Sequence, residues 1–231
     1  MDPTSLSGQE RYFEFHYVDG ALSLLHDTYR LRFQVFCNER QFLPADDYPE
    51  RSEIDGYDAS SIHFAAFDRA GQIAGAVRLV RKDTGAGYPY ESHCPVYPDV
   101  PLPEDAESGE ISRLVVSKFY RRRVEDNFYG MNEADVPPPQ EFAEKRGKHP
   151  IIVLGMYRAM YSYSRIHGIR FWYAAMERSL ARLLNRYGFD FNQIGPEVDY
   201  YGPVAVYVAD LRKLEEKLSR LNPEVFAWFC S

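Results

Sequence analysis

Glu53-Ile-Asp55-Gly-Tyr-Asp58 sets three carboxylates at an E-x-D-x-x-D spacing, and Glu110-Ile-Ser-Arg113 adds a carboxylate and a guanidinium later in the chain. Between them lies Gly75-Ala-Val-Arg78, and before them Arg32-Phe-Gln-Val-Phe36. Three arginines and four acids are thus spread over four predicted elements. A lone buried charge costs several kcal/mol or more, so these groups either stay solvated singly or converge on one polar site. The sequence is read here as convergent. In such a site a carboxylate can act as a base, and a guanidinium can hold a carboxylate bidentately.

The elements that must position these groups follow from periodicity. Phe13, Phe15 and Tyr17 alternate with polar residues and predict a first strand. Residues 21–42 have helical spacing, with Leu22, Leu25, Tyr29, Phe33 and Phe36 on one face. The Pro-, Asp- and Ser-containing stretch 43–61 reads as a loop. Ile62–Phe67 and Gln72–Arg81 form a predicted hairpin around Asp68-Arg-Ala-Gly71. A Pro- and Gly-rich connection over 83–109 leads to a strand at Glu110–Ser117. Residues 124–149, with Pro137-Pro-Pro139, are an irregular excursion. A helix starts at Pro150 and ends near Gly168, followed by a strand at Ile169–Met176 and a helix at Arg178–Tyr187 stopped by Gly188. Strands at Phe189–Ile194 and Val204–Ala209, then terminal helices over 211–231, complete the chain. This order predicts one α/β (α+β) domain over residues 1–231, a mixed and mostly antiparallel sheet flanked by helices.

Composition narrows the function classes. The 231 residues are 45% hydrophobic, enough for a substantial core. A net charge of -7 argues against general nucleic-acid binding, which needs excess Lys and Arg for the phosphates. The polar N-terminus predicts no signal peptide, and no apolar run is long enough to span a bilayer. Cys37, Cys94 and Cys230 lack metal spacing and read as reduced thiols of a cytoplasmic protein. The six histidines show no metal-ligand spacing and read as structural or exposed, so no metal is expected.

The motif order and spacing resemble the acyl-homoserine-lactone (autoinducer) synthases of the acetyltransferase-like (GNAT) superfold. The match runs through Arg32/Phe36, Glu53/Asp55/Asp58, Gly75/Arg78 and Glu110/Arg113. The segment Ile111-Ser-Arg-Leu-Val-Val-Ser-Lys-Phe-Tyr-Arg-Arg-Arg123 is more similar to exosortase-associated (PEP-CTERM system) acyltransferases and N-acyl amino acid synthases. The resemblance implies transfer of a fatty acyl group from acyl carrier protein, or from acyl-CoA, to the amine of an amino acid or other small amine. It implies no bound cofactor beyond the acyl-phosphopantetheine co-substrate, and it admits a peripheral membrane contact. Glu110 would be the base, acting through water, with Arg113 holding its carboxylate or binding that of the acceptor. Arg32, Glu53, Asp55 and Arg78 would form a supporting ion-pair network or an acceptor pocket, with Phe36, Phe42 and Asp58 also on the substrate-binding side. Val115 and Val116 would supply the oxyanion and pantetheine-pairing backbone. Lys118, Arg121, Arg122 and Arg123 would form a cationic rim for the donor, with Lys145, Arg146 and Lys148 extending it.

Two departures shape the substrate expectation. Autoinducer synthases carry a Trp six residues after the motif phenylalanine, near their S-adenosylmethionine site; here the residue is Phe42, which argues against lactone production. Coenzyme A-dependent acetyltransferases place glycines after the fourth strand to cradle pyrophosphate, whereas Lys118-Phe-Tyr-Arg-Arg-Arg123 has none, which favours a carrier-protein donor. Blander readings stand beside these roles. Glu110 and Arg113 would be a structural ion pair, the acidic run a solvated loop, the triple arginine a solvated charge run, and Cys37 a small core residue. A signal synthase and a non-catalytic acyl-binding module of an exosortase system are the alternative functions.

Overall fold

The computed structural model describes residues 12–82, 87–121 and 149–230. Most of the excursion expected at 124–149 therefore lies outside the described residues, as do Arg122, Arg123, Lys145, Arg146 and Lys148.

The strands are β1 (Phe13–Tyr17), β2 (Ser61–Asp68), β3 (Ile73–Val80), β4 (Ser108–Val116), β5 (Phe171–Met176), β6 (Asn192–Gln193), β7 (Val198–Asp199) and β8 (Pro203–Asp210). The helices are α1 (Leu22–Phe33), α2 (His149–Ile166), α3 (Arg178–Arg186), α4 (Leu211–Leu221) and α5 (Pro223–Cys230). Strand order is β1-β2-β3-β4-β5-β8-β6, with β7 paired to β8. Every ladder is antiparallel except β4 with β5.

β2 and β3 are buried along almost their whole length because helices cover both faces of the sheet. Such strands read as near-continuous apolar runs, which is how Ile62–Phe67 reads. The β2–β3 turn closes as expected, with Gly71 N–H donating to the Asp68 carbonyl at 2.8 Å and Gly71 at φ 73°. Gly75, from the G-x-x-R motif, has a packing role. A Cβ there would sit 2.7 Å from Ile152 of α2 and 3.2 Å from the Val115 carbonyl of β4. Gly188 at φ +88° ends α3, as its position in the sequence predicts.

Three expectations need correction. α1 ends at Phe33, and the chain continues to Glu39 as a π-turn rather than as regular helix to residue 42. The face of α1 differs too: Thr28, Leu31 and Arg32 are buried, whereas Leu22 is 82% exposed. The strand expected at Phe189–Ile194 is reduced to Asn192–Gln193. Among the described residues no helix is long and apolar enough to cross a membrane.

Candidate active site

The E-x-D-x-x-D loop lies over the junction of α1, β3 and β4, and its carboxylates meet the three motif arginines. Arg32 donates from Nε to Glu53 Oε2 at 2.5 Å and grips Asp58 with both terminal nitrogens, at 2.6 and 3.0 Å. Arg78 takes both oxygens of Asp55, at 2.5 and 2.8 Å, reaches Asp58 Oδ1 at 2.8 Å and donates from Nε to Ser112 Oγ at 2.9 Å. Arg113 closes the ring, with Nε 3.1 Å from Glu53 Oε1 and Nη2 3.0 Å from Asp55 Oδ2. Such bidentate, charge-assisted bonds fix geometry as well as charge. Three positive and three negative groups offset one another, which lets Arg32, Arg78 and Glu53 lie essentially without solvent contact.

The local backbone explains how the arginines converge. β3 and β4 lose register between Ala76 and Arg78, where Arg113 adopts φ 53°. In a regular strand Ser112 and Arg113 would face opposite sides of the sheet. The bulge turns Arg113 so that it joins the network that Ser112 already touches. The non-glycine residues with positive φ among the described ones are Gln41, Arg51, Arg113 and Tyr201. Arg113 is itself in the network, and Gln41 and Arg51 adjoin Phe42 and the acidic loop. Strained backbone of this kind gathers at functional sites. The π-turn at the end of α1 does the same for Phe36, whose ring lies 5.3 Å below the Arg113 guanidinium. Phe36 stacks with Phe42 at 6.5 Å between ring centroids, Phe42 with Tyr201 at 5.7 Å, and Tyr200 with His93 at 4.1 Å.

Glu110 is not a member of this network. It sits in β4 between Val80 of β3 and Tyr173 of β5, and its Oε2 accepts the Tyr90 N–H at 3.1 Å. Tyr88, Tyr90 and Tyr173 pack together with ring centroids 5.3–6.0 Å apart. Burial pushes the Glu110 carboxyl up to about 8, because the Tyr90 N–H and the more distant Arg78 and Arg113 only partly offset desolvation. The expectation that Glu110 pairs with Arg113 is therefore corrected: Arg113 pairs with Glu53 and Asp55. The opposite environment holds Asp55 and Asp58 below the usual carboxylate range: desolvation is outweighed at Asp55 by bonds from Arg78 and at Asp58 by bonds from His63 and Arg32.

The β4–β5 ladder runs only from Ser108/Phe171 to Ile111/Ala174, so the strands part beside the bulge. Ser117 N–H donates to the Ala74 carbonyl at 2.9 Å. By the alternation of an antiparallel ladder, the Val115 N–H then also faces β3, and the Val116 N–H faces the gap toward β5. Of the two oxyanion candidates, Val116 alone directs its N–H to that opening. Lys118 is exposed, while Arg121 is tied to Glu39. A separate cavity of about 350 Å3 between α1 and the end of β4 is lined by Arg30, Gln34, Gln72, Ser117, Phe119 and Tyr120, and touches neither Glu110 nor Arg113.

Sequence reasoning missed His63 and Asp19. His63, from β2 and directly opposite Arg78, approaches Asp58 Oδ1 at 3.0 Å and Asp19 Oδ1 at 2.6 Å. One signal was available: His63 interrupts the otherwise apolar run Ile62–Phe67. Among the described residues no group of three or more His, Cys, Asp or Glu is placed to hold a metal ion.

Residues 31–128, which span every motif described above, match the acetyltransferase (GNAT) domain family. The fold is GNAT-like. A structure of the acyl-homoserine lactone synthase LasI aligns with a TM-score of 0.61 at 18% identity, covering 91% of this chain and 94% of that one. A CoA-dependent acyl-homoserine lactone synthase, BjaI, solved with SAM and isopentyl-CoA, aligns at 0.59 and 18% identity, covering 94% and 98%. FeeM, an N-acyl amino acid synthase from uncultured soil microbes, aligns at 0.53 and 13% identity, covering 90% and 96%. A search of curated protein sequences finds no match.

Proposed function

We propose that the protein is an N-acyltransferase that moves a fatty acyl group from an acyl-phosphopantetheine thioester to the amine of an amino acid or similar small acceptor. The observation that carries this reading is Glu110, a buried carboxyl pushed up to about 8 where β4 and β5 part. A carboxyl raised this far is a stronger base than an ordinary carboxylate and takes a proton from an ammonium at lower cost.

Glu110, through an intervening water, takes a proton from the acceptor ammonium. The free amine attacks the thioester carbonyl. The tetrahedral oxyanion is held by the Val116 N–H. The C–N bond forms, the attacking nitrogen gives its second proton to water, the C–S bond breaks, and the thiolate leaves with the proton that Glu110 held. Arg113 and the aromatic surface of Phe36, Phe42 and Tyr201 hold the acceptor, with Arg113 facing its carboxylate. Lys118 lies exposed just beyond β4, beside the acidic donor's path. The absence of glycine after β4 supports acyl carrier protein over free acyl-CoA as donor.

The test is a donor-by-acceptor matrix read by mass spectrometry. Acyl carrier protein and CoA thioesters of several chain lengths are offered with pooled amino acids, with S-adenosylmethionine, or with no acceptor. The expected product is an N-acyl amino acid formed with stoichiometric thiol release. Lactone formed from S-adenosylmethionine would assign the protein as a signal synthase. Tight acyl binding without turnover would make it a non-catalytic acyl-binding module.

A further inference from the structure

The network around Asp58 carries one more donor than the motifs account for. Asp58 Oδ1 receives Arg32 Nη1, Arg78 Nη1 and His63 Nε2, and Oδ2 receives Arg32 Nη2 and the Asp55 N–H. On the far side of the imidazole, Nδ1 lies 2.6 Å from Asp19 Oδ1, while Asp19 Oδ2 accepts the His63 backbone N–H at 2.7 Å. Ionised carboxylates only accept hydrogen bonds, and a neutral imidazole donates from one nitrogen alone. Both contacts are satisfied together only when both ring nitrogens carry protons. The His63 side chain is 2% exposed, so water cannot replace either bond.

We infer that His63 is a positioning residue. Held as an imidazolium between Asp19 and Asp58, it fixes the acid that aligns Arg32 and Arg78, and through Asp55 and Glu53 it fixes Arg113 at the acceptor end of the site. The groups facing it are Asp19 from the β1–α1 turn, Asp58 from the acidic loop, Arg78 from β3, and Tyr29 and Arg32 from α1. Tyr29 meets the imidazole edge-on at 5.6 Å and adds no hydrogen bond to it. The two arginines disfavour a charged imidazole. The two carboxylates, in direct contact, outweigh them and hold His63 above its ordinary value despite burial. When His63 loses its proton, one ring nitrogen must present a lone pair to a carboxylate. Asp58 or Asp19 then turns away, and the arginines that share Asp58 lose their common anchor.

The role as an acceptor-positioning device rests on the acyltransferase reading; the protonation state does not, and the experiment separates them. Nitrogen NMR of the labelled protein follows the His63 ring and the Arg32 and Arg78 Nε–H groups across a pH series, for the wild type and for Asp19→Asn. The expected result is a doubly protonated ring at neutral pH. In Asp19→Asn the ring titrates at least one pH unit lower, and both arginine signals move in step with it. A neutral wild-type ring at pH 7, or arginine signals indifferent to its titration, overturns the inference. In the transfer assay, Asp19→Asn raises the acceptor KM by about tenfold at alkaline pH, the scale of one lost charge-assisted bond, and this loss shrinks at acid pH while the donor KM stays put. A loss that tracks the folded fraction at every pH makes His63 purely structural and overturns the positioning role. Absence of transfer with every donor and acceptor counts against the acyltransferase reading, and the NMR result then decides His63 alone.

Discussion

Glu110→Gln separates a catalytic carboxyl from a structural one because the two roles move activity and stability differently. The side chain is 2% exposed, with its one hydrogen bond from the Tyr90 N–H. Its titration is raised from 4.5 to about 8. That displacement corresponds to roughly 5 kcal/mol between the protonated and ionised forms, an upper figure because buried sites relax. The sign follows from linkage. A folded-state value above the unfolded one means the native state binds the proton more tightly. The resulting stability is fully present below about pH 4.5 and is lost as pH rises toward 8. Glutamine stays neutral and keeps an oxygen for the Tyr90 N–H. The variant should therefore match the wild type in denaturant midpoint near pH 5 and exceed it near pH 9, by a few kcal/mol. Transfer should fall by roughly 10²–10⁴-fold, the range for loss of a general base. The wild-type rate should climb with pH through a limb near 8 as Glu110 ionises. The assays are chemical denaturation at both pH values and a pH–rate profile of acyl transfer to the accepted amine. A Gln variant that is destabilised at pH 9, or that transfers at the wild-type rate, refutes the argument.

Other perturbations read other parts of the site. Asp58→Asn leaves Arg32, Arg78 and His63 without their shared anion and should cost about 3–5 kcal/mol, measured by urea unfolding at neutral pH. The depressed Asp55 and Asp58 carboxyls contribute stability that is full above about pH 4 and is lost as pH falls further, so acid unfolding should begin there in circular dichroism and be weakened in Asp55→Asn. Gly75→Ala drives a methyl against Ile152 and should cost about 1–3 kcal/mol, with partial recovery in Gly75→Ala/Ile152→Val. Lys118→Glu should slow transfer from acyl carrier protein more than from acyl-CoA, an effect that added salt should erase.

The sheet and helices were legible because their signals are local. The alternation of Phe13, Phe15 and Tyr17, the Asp68–Gly71 turn and the Gly188 stop each act within a few residues. The candidate network was legible as a set of motifs, since unpartnered charges in apolar elements must find one another. What sequence did not give is how the charges divide. Arg32 faces inward, so hydropathy placed the buried face of α1 wrongly and set Leu22 where Arg32 and Thr28 belong. His63 was passed over because its partners lie 44 and 5 residues earlier in the chain, on two separate connecting segments. The bulge at Arg113 and the π-turn before Phe42 leave no glycine or proline to mark them. Both depend on tertiary contacts that no local rule contains.

The separation of Glu110 from the arginines is the feature on which the chemistry turns. Arg113 is three residues from Glu110, and a direct pair would hold that carboxyl ionised at neutral pH, too weak a base to share a proton with an amine. The bulge directs Arg113 instead to Glu53 and Asp55, which are well supplied with other donors. Glu110 is left with one backbone N–H and three tyrosine rings. Two carboxylate environments, Glu110 on β4 and Asp55 with Asp58 on the acidic loop, are thus pushed in opposite directions by what surrounds them. Such divergence is how a single site assigns one group to hold charge and another to move a proton. It gives a direct test of the bulge itself. Deleting Leu114 should restore regular pairing and swing Arg113 to the opposite face of the sheet, away from Glu53. The protein would then keep its fold with the Glu110 limb near 8 intact, and lose acceptor binding. A deletion variant with an unchanged acceptor KM would show that the placement of Arg113 is incidental to the reaction.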